Sequence, residues 1–147
     1  MTPIEPVKMN TIDFSSKGEN ITIVERLIDD LCEKYNIPEE HYGNILIALT
    51  EAVNNAIYHG NRNDPDKKVS LQYKADPSRF YFRIEDEGPG FDYENIPDPT
   101  SPENIEKPNG RGVFLMRHLS DEINFLDDGR VVEIIFSKLS RPEEMSA

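Results

Sequence analysis

Val69–Phe91 reads VSLQYKADPSRFYFRIEDEGPGF, and its alternation decides the fold class. Val69, Leu71 and Tyr73 share one face of an extended segment. After Asp76-Pro77-Ser78 turns the chain, Phe80, Phe82 and Ile84 alternate with Tyr81, Arg83 and Glu85. Two period-2 segments joined by a short Pro/Ser turn predict an antiparallel hairpin with one buried face. The continuation Asp86-Glu87-Gly88-Pro89-Gly90 is too rich in glycine for an ordinary strand end.

Working outward from this hairpin, the flanking segments predict its packing partners. Upstream, Ile21, Val24, Leu27, Ile28 and Leu31 recur at helical spacing behind Asn20, a residue suited to N-capping. Asn36 and Pro38 end this helix and start a second, expected from about Glu39 to Tyr58. In the second helix Ile45, Leu46, Leu49, Ala52, Val53, Ala56 and Ile57 form a broad apolar arc. At about 100° per residue, Glu51, Asn55 and His59 fall within roughly 80° of one another, as a polar stripe beside that arc. Thr11–Phe14 suits a short first strand. Downstream, Asp92–Asn109 holds four prolines and almost no periodicity, which suits a lid or disorder. Gly110-Arg111-Gly112 closes it ahead of a short helix carrying Val113, Phe114, Met116 and Leu119. Ile123–Leu126 and Val131–Ser137 predict a second hairpin, with Asp128-Gly129 as a type I′ turn. The order strand, two helices, two strands, lid, helix, two strands predicts an α+β two-layer sandwich, its helices on one face of a mixed, mostly antiparallel sheet. Residues 11–138 are expected to form one domain, with 1–10 and 139–147 as tails.

The composition limits what this domain can do. With 147 residues, 37% hydrophobic and 30% charged, the chain is an ordinary globular protein. It has no apolar run near the roughly 20 residues of a membrane span, and its start lacks the pattern of a secretory signal. The lone Cys32 forms no internal disulfide and suits a reducing compartment, so a cytoplasmic location is expected. His41, His59 and His118 show no metal-ligand spacing. Twenty-eight acidic residues against 16 basic ones leave a net charge of −12, which argues against nucleic acid and membrane surfaces as partners.

Three clusters carry candidate chemistry, and each alone is compatible with plain structure. Glu51-x3-Asn55 could be helix surface, Asp86-x-Gly88-x-Gly90 a turn, and Gly110-Arg111-Gly112 a linker into a helix. Their order and placement together describe a site for magnesium ATP. The Asn55 amide oxygen is a hard donor that can coordinate Mg²⁺ without adding negative charge beside a triphosphate. Glu51, one turn earlier, is placed to accept a proton from an attacking hydroxyl or water. Asp86 can accept a hydrogen bond from the exocyclic amine of adenine, while Gly88 and Gly90 let the base approach the backbone. Gly110 and Gly112 at a helix N-terminus offer N–H groups to phosphate, and Arg111 adds a cation there. His59, beside the stripe, suits either a contact to the lid or phosphate-bound water or a packing role at the helix end.

EAVNNAIYHGN (Glu51–Asn61), DEGPGFD (Asp86–Asp92) and GRGVFLMRHLSDEINF (Gly110–Phe125) resemble the N, G1 and G2 boxes of the GHKL ATPases. That superfamily has the Bergerat ATP-binding fold, also called the histidine kinase-like ATPase fold. The HGN after the N box and the GRG-V-F-L-M form are similar to bacterial anti-sigma factor serine/threonine kinases, and the similarity spans roughly Asp13–Lys138. The resemblance implies Asn55 on Mg²⁺, Glu51 as catalytic base, Asp86 on adenine, Gly88 and Gly90 shaping its pocket, and Asn95–Gly112 as the ATP lid. It further implies phosphotransfer from ATP to a serine of an anti-sigma factor antagonist, sequestration of a sigma factor, and homodimers. Where many GHKL proteins carry Thr after the last hairpin's glycine, this chain has Arg130, so a hydroxyl contact to the nucleotide is in doubt. An ATP-regulated protein-binding switch without kinase activity therefore stands as the alternative. A sensor histidine kinase domain is disfavoured, since the lead before the fold holds no phospho-accepting helix.

Overall fold

A computed structural model of the chain describes residues 9–89 and 108–140, with side chains omitted for 108–111. The elements in chain order are β1 (Asn10–Ser15), α1 (Ile21–Lys34), α2 (Glu39–Asn54), a π-helical segment (Asn55–Gly60), β2 (Lys68–Ala75), β3 (Phe80–Glu85), α3 (Pro108–Leu119), β4 (Glu122–Leu126) and β5 (Val131–Phe136). The strands form one sheet in the order β1-β2-β3-β5-β4. Every pairing is antiparallel, so among the described residues the sheet has no parallel component, contrary to the mixed sheet expected.

The hairpin that the alternation marks is present in register, with Leu71 opposite Ile84 and Tyr73 opposite Phe82. Its inward residues Val69, Leu71, Phe80, Phe82 and Ile84 are fully buried, with exposures of 1% or less. They meet Val24 and Ile28 of α1 and Ile45, Leu49 and Val53 of α2 in one continuous core. Tyr35, Phe80, Phe82 and Phe136 link ring to ring through it, with centroids 6.0–6.2 Å apart in edge-on geometry. On the opposite face the sheet is polar: the Tyr81 hydroxyl donates to Glu133, and Arg83 pairs with Glu85. The two layers follow from these apolar faces, since each helix stripe and the inner sheet face have only one another to cover them.

Local differences from the sequence reading have identifiable causes. Asn20 stands at the N-cap position of α1, as expected, but makes no side-chain cap: it ends a 3₁₀ turn (Gly18–Asn20), and its side-chain amide donates instead to Ser15 O and Oγ, holding β1 against the start of α1. Asn36 ends α1 with φ 51° and Pro38 precedes α2 with ψ 143°, as expected. The second helix does not continue as an α-helix to Tyr58 but converts to π geometry from Asn55. The β4–β5 connection is not a two-residue I′ turn. Leu126 pairs with Val131, and Asp127, Asp128 and Gly129 all have positive φ in the loop between. Leu139, expected in the C-terminal tail, is 1% exposed, and its N–H donates to Ser78 O. The last core contact therefore lies beyond β5. No described helix is long and apolar enough to cross a membrane.

Candidate nucleotide site

The edge of α2 and the π segment form one wall of a cleft. Ala52, Asn55, Ala56, His59 and Gly60 line it from this side, Ile84 and Asp86 from the end of β3, Met116 from α3, and Phe125, Gly129, Arg130 and Val132 from the β4–β5 hairpin. Its lining mixes apolar surface with a few polar groups. The placement of Asn55 at the α-to-π junction matters, because π turns inside helices re-aim side chains and recur at functional sites.

Glu51 and Asn55 come together with the third motif through a close approach. A Cβ added at Gly112 would stand 3.0 Å from Glu51 Oε2 and 3.3 Å from both polar atoms of the Asn55 side chain. Only glycine lets α3 sit this near the two side chains without displacing them. Gly112 is the fifth residue of α3, past the four whose N–H groups lack an intrahelical acceptor, so its contribution is proximity rather than an N–H for phosphate. This corrects the sequence reading, which placed Gly112 at the helix start. Gly110 lies within that first turn, and the side chain of Arg111 is outside what is described.

The second motif closes the other end of the cleft. Gly88 N–H donates to Asp86 Oδ1 at 2.8 Å, and Asp86 N–H donates to Arg130 O at 3.0 Å, which fastens the loop after β3 to the β4–β5 hairpin. A side chain at Gly88 would strike the Gly60 backbone, and one at Gly60 would strike the Asp86 carboxylate, so both glycines are required by packing. Burial pushes the Asp86 carboxyl up to about 6, opposed in part by the Gly88 N–H and by the charge of Arg130. His59 lines the solvent edge of the cleft, where desolvation lowers its pKa. Gly90 and most of the expected lid, Asn95–Gly112, lie outside the described residues.

Two contributors were not assigned from sequence. Asn61 is fully buried: its amide donates to Ser16 Oγ (2.7 Å) and Lys68 O (3.0 Å), and its Oδ1 accepts Glu87 N–H (2.7 Å). It thereby ties the end of the π segment to β1, β2 and the Asp86 loop. The signal was present, since Asn61 closes the quoted HGN run, but nothing in a polar loop shows that it turns inward. Arg130 lines the cleft beside Asp86. In sequence it registered only as the residue standing where a Thr was expected.

The chain is thus an α+β domain with a cleft between its helical layer and its sheet, lined by the Asn55 amide on one side and by the buried Asp86 carboxylate behind tight glycines on the other. The chain belongs to the histidine kinase-like ATPase domain family, whose model matches residues 14–136. It is similar to the serine-protein kinase RsbW of Bacillus cereus (strain AH820) and to that of Bacillus anthracis, in each case 22% identical over 97% of this chain and 91% of the relative. Among solved structures it is similar to the RsbU and RsbW domains of Rv1364c from Mycobacterium tuberculosis, with a TM-score of 0.63 and 15% identity. That match covers 93% of this chain and 34% of the larger one. The catalytic domain of histidine kinase ThkA matches with a TM-score of 0.50 and 18% identity, over 90% of this chain and 99% of that one. At these identities the solved structures speak to the fold.

Proposed function

We propose that the chain is an ATP-binding protein-serine/threonine kinase of the anti-sigma factor type, acting in the cytoplasm on a serine of an antagonist protein. The observation that supports this reading is the close approach of Gly112 to Glu51 and Asn55, which puts the first and third motifs side by side. The family match and the RsbW relatives support the same class.

Adenine would occupy the Asp86 end, with its amine donating to the carboxylate, and the phosphates would run toward Asn55 and α3. The donor set fits magnesium. Among the described residues no three His, Cys, Asp or Glu side chains cluster into a complete metal site, so the ion would share phosphate oxygens, with the Asn55 amide oxygen as its protein ligand. An ion held there would neutralise phosphate charge. Glu51 takes the proton of the acceptor serine as the serine oxygen bonds to the γ-phosphorus and the bond to the ADP oxygen breaks. A homodimer, and a sigma factor as second partner, complete the proposal.

In Glu51→Gln, calorimetry is expected to show ATP binding within a few-fold of wild type. Transfer of labelled phosphate to an antagonist-type serine protein should fall about 10²–10⁴-fold. Full transfer by the variant would remove Glu51 from the role of base. A second reading, an ATP-regulated binding switch without phosphotransfer, is favoured by Arg130 standing where many GHKL proteins are expected to carry a Thr. It predicts that wild type transfers no phosphate, while ATP still changes affinity for the partner in both proteins.

A further inference from the structure

The β4–β5 loop is built at a conformational cost, and what it displays is an arginine. Asp127 (φ 50°) and Asp128 (φ 57°) both occupy the left-handed region that side chains disfavour, ahead of Gly129 (φ 88°). Such strain persists where the surroundings hold it, and it gathers at functional sites. Here the surroundings converge on Arg130. Its N–H donates to Asp127 O (3.1 Å), its Nη2 to Asp127 Oδ1 (2.9 Å) and its Nε to Asp127 O (3.3 Å). Its own carbonyl accepts Asp86 N–H at 3.0 Å. The guanidinium is thus steered by Asp127, and the Asp86 backbone is docked on the same residue. An arginine bound only to Asp127 would be a surface ion pair of little value. Arg130 instead lines the cleft together with Asp86, and it is the one permanently charged cation among the described residues that line it.

We propose that Arg130 is a positioning residue for the nucleotide base, acting through Asp86 from the strained loop that Asp127 anchors. This inference rests on the nucleotide reading of the cleft. To accept a hydrogen bond from a base amine without offering a competing proton, the Asp86 carboxyl must be ionised. Burial works against that state, and so does the charge of Glu85 at the end of β3. On the other side stand the Gly88 N–H, Arg130 and the more weakly acting Lys67, which precedes β2. The π segment contributes the Gly60 backbone against the carboxylate and His59 on the same cleft, whose imidazole burial keeps toward its neutral form. Arg130 is the strongest of the opposing side-chain charges, and it is the only one held by a dedicated anchor.

The test measures the Asp86 carboxyl directly, by ¹³C NMR of the full chain without nucleotide from pH 4 to 8, and ATP affinity by calorimetry over the same range. The proteins are wild type, Arg130→Met, Arg130→Lys and, as a variant that leaves the arginine in place, Asp127→Asn. In Arg130→Met the Asp86 midpoint is expected to rise by about half to one pH unit, less than for a shielded pair because Arg130 is part-exposed. ATP affinity should fall about two- to fivefold at pH 6 and recover by pH 8, with Arg130→Lys close to wild type and Asp127→Asn between. An unchanged Asp86 midpoint in both Arg130→Met and Asp127→Asn overturns the proposal. So does an affinity loss equal at pH 6 and pH 8, which would place Arg130 on the ligand itself. If wild type binds no ATP at any pH while the Asp86 midpoint moves as expected, the nucleotide reading fails and the positioning role falls with it. The charge coupling would then stand alone.

Discussion

At the scale of single residues, Asp86 carries the largest electrostatic consequence. Burial penalises its charge and pushes the carboxyl up to about 6 in the folded chain, against an ordinary carboxylate value of 3.8 when unfolded. A raised folded pKa means that the native state binds the extra proton between these values. The stabilisation from this group is therefore fully present below about 3.8 and is lost as pH rises through about 6. Denaturant titrations of wild type and Asp86→Asn at a series of pH values should diverge over that window, wild type losing on the order of 1–2 kcal/mol relative to the variant after allowance for solvent screening. Parallel curves would mean that the carboxyl is solvated like a surface acid. If Asp86 holds the adenine amine as proposed, ATP binding selects the ionised form, and the affinity of wild type is expected to rise through the same window in which the stability of the free protein falls. The residues proposed for the site, Glu51, Asn55, Asp86 and Gly88, stood out as candidates in the sequence because each chemistry demands a particular side chain, or none, at a particular spacing. Asn61 and Arg130 did not: Asn61 joins Ser16, Lys68 and Glu87, and Arg130 meets Asp86 from the β4–β5 loop, contacts which a one-dimensional pattern does not join.

At the scale of elements, α3 is the piece whose fit governs chemistry. Gly112 sits in regular helix, where alanine gains about 0.5–1 kcal/mol over glycine. The added methyl meets Glu51 Oε2 at 3.0 Å and the Asn55 amide at 3.3 Å, and both are movable side-chain ends. Gly112→Ala is therefore expected to fold normally or with slightly higher Tm, while phosphotransfer falls about tenfold or more because the two groups are pushed from their positions. Equal activity with raised stability would show that Glu51 and Asn55 need no such clearance. The strands were readable from sequence because burial on one face imposes period 2, and the register followed the apolar residues. The π segment was not, since Ala56 and Ile57 satisfy the apolar arc of an α-helix equally well and the extra residue per turn leaves no mark in composition. The β4–β5 loop misled for a related reason. Asp-Gly signals positive φ correctly, but here Asp127 adopts it too and lengthens the turn.

At the scale of the molecule, a chain of net charge −12 must attract a ligand of the same sign. Long-range repulsion acts over about 30 Å at 0.01 M salt and only about 8 Å at 0.15 M. ATP affinity at constant Mg²⁺ is accordingly expected to rise, by up to about threefold, as ionic strength increases between these limits. A steep fall would mean that local cations outweigh the global field. The order of the sheet has a further consequence, which concerns time. β2 and β3 are neighbours in sequence and can pair early, but Glu85 meets Val131 only after the chain between them has been folded back. The Asp86 loop and the β4–β5 hairpin face one another only once that late closure is complete. A nucleotide spanning them engages contacts absent from the rate-limiting barrier, so in stopped-flow chevrons it should slow the unfolding limb and leave the refolding limb in place. Occupancy would then act as a latch on the native state, prolonging its lifetime without hastening its birth.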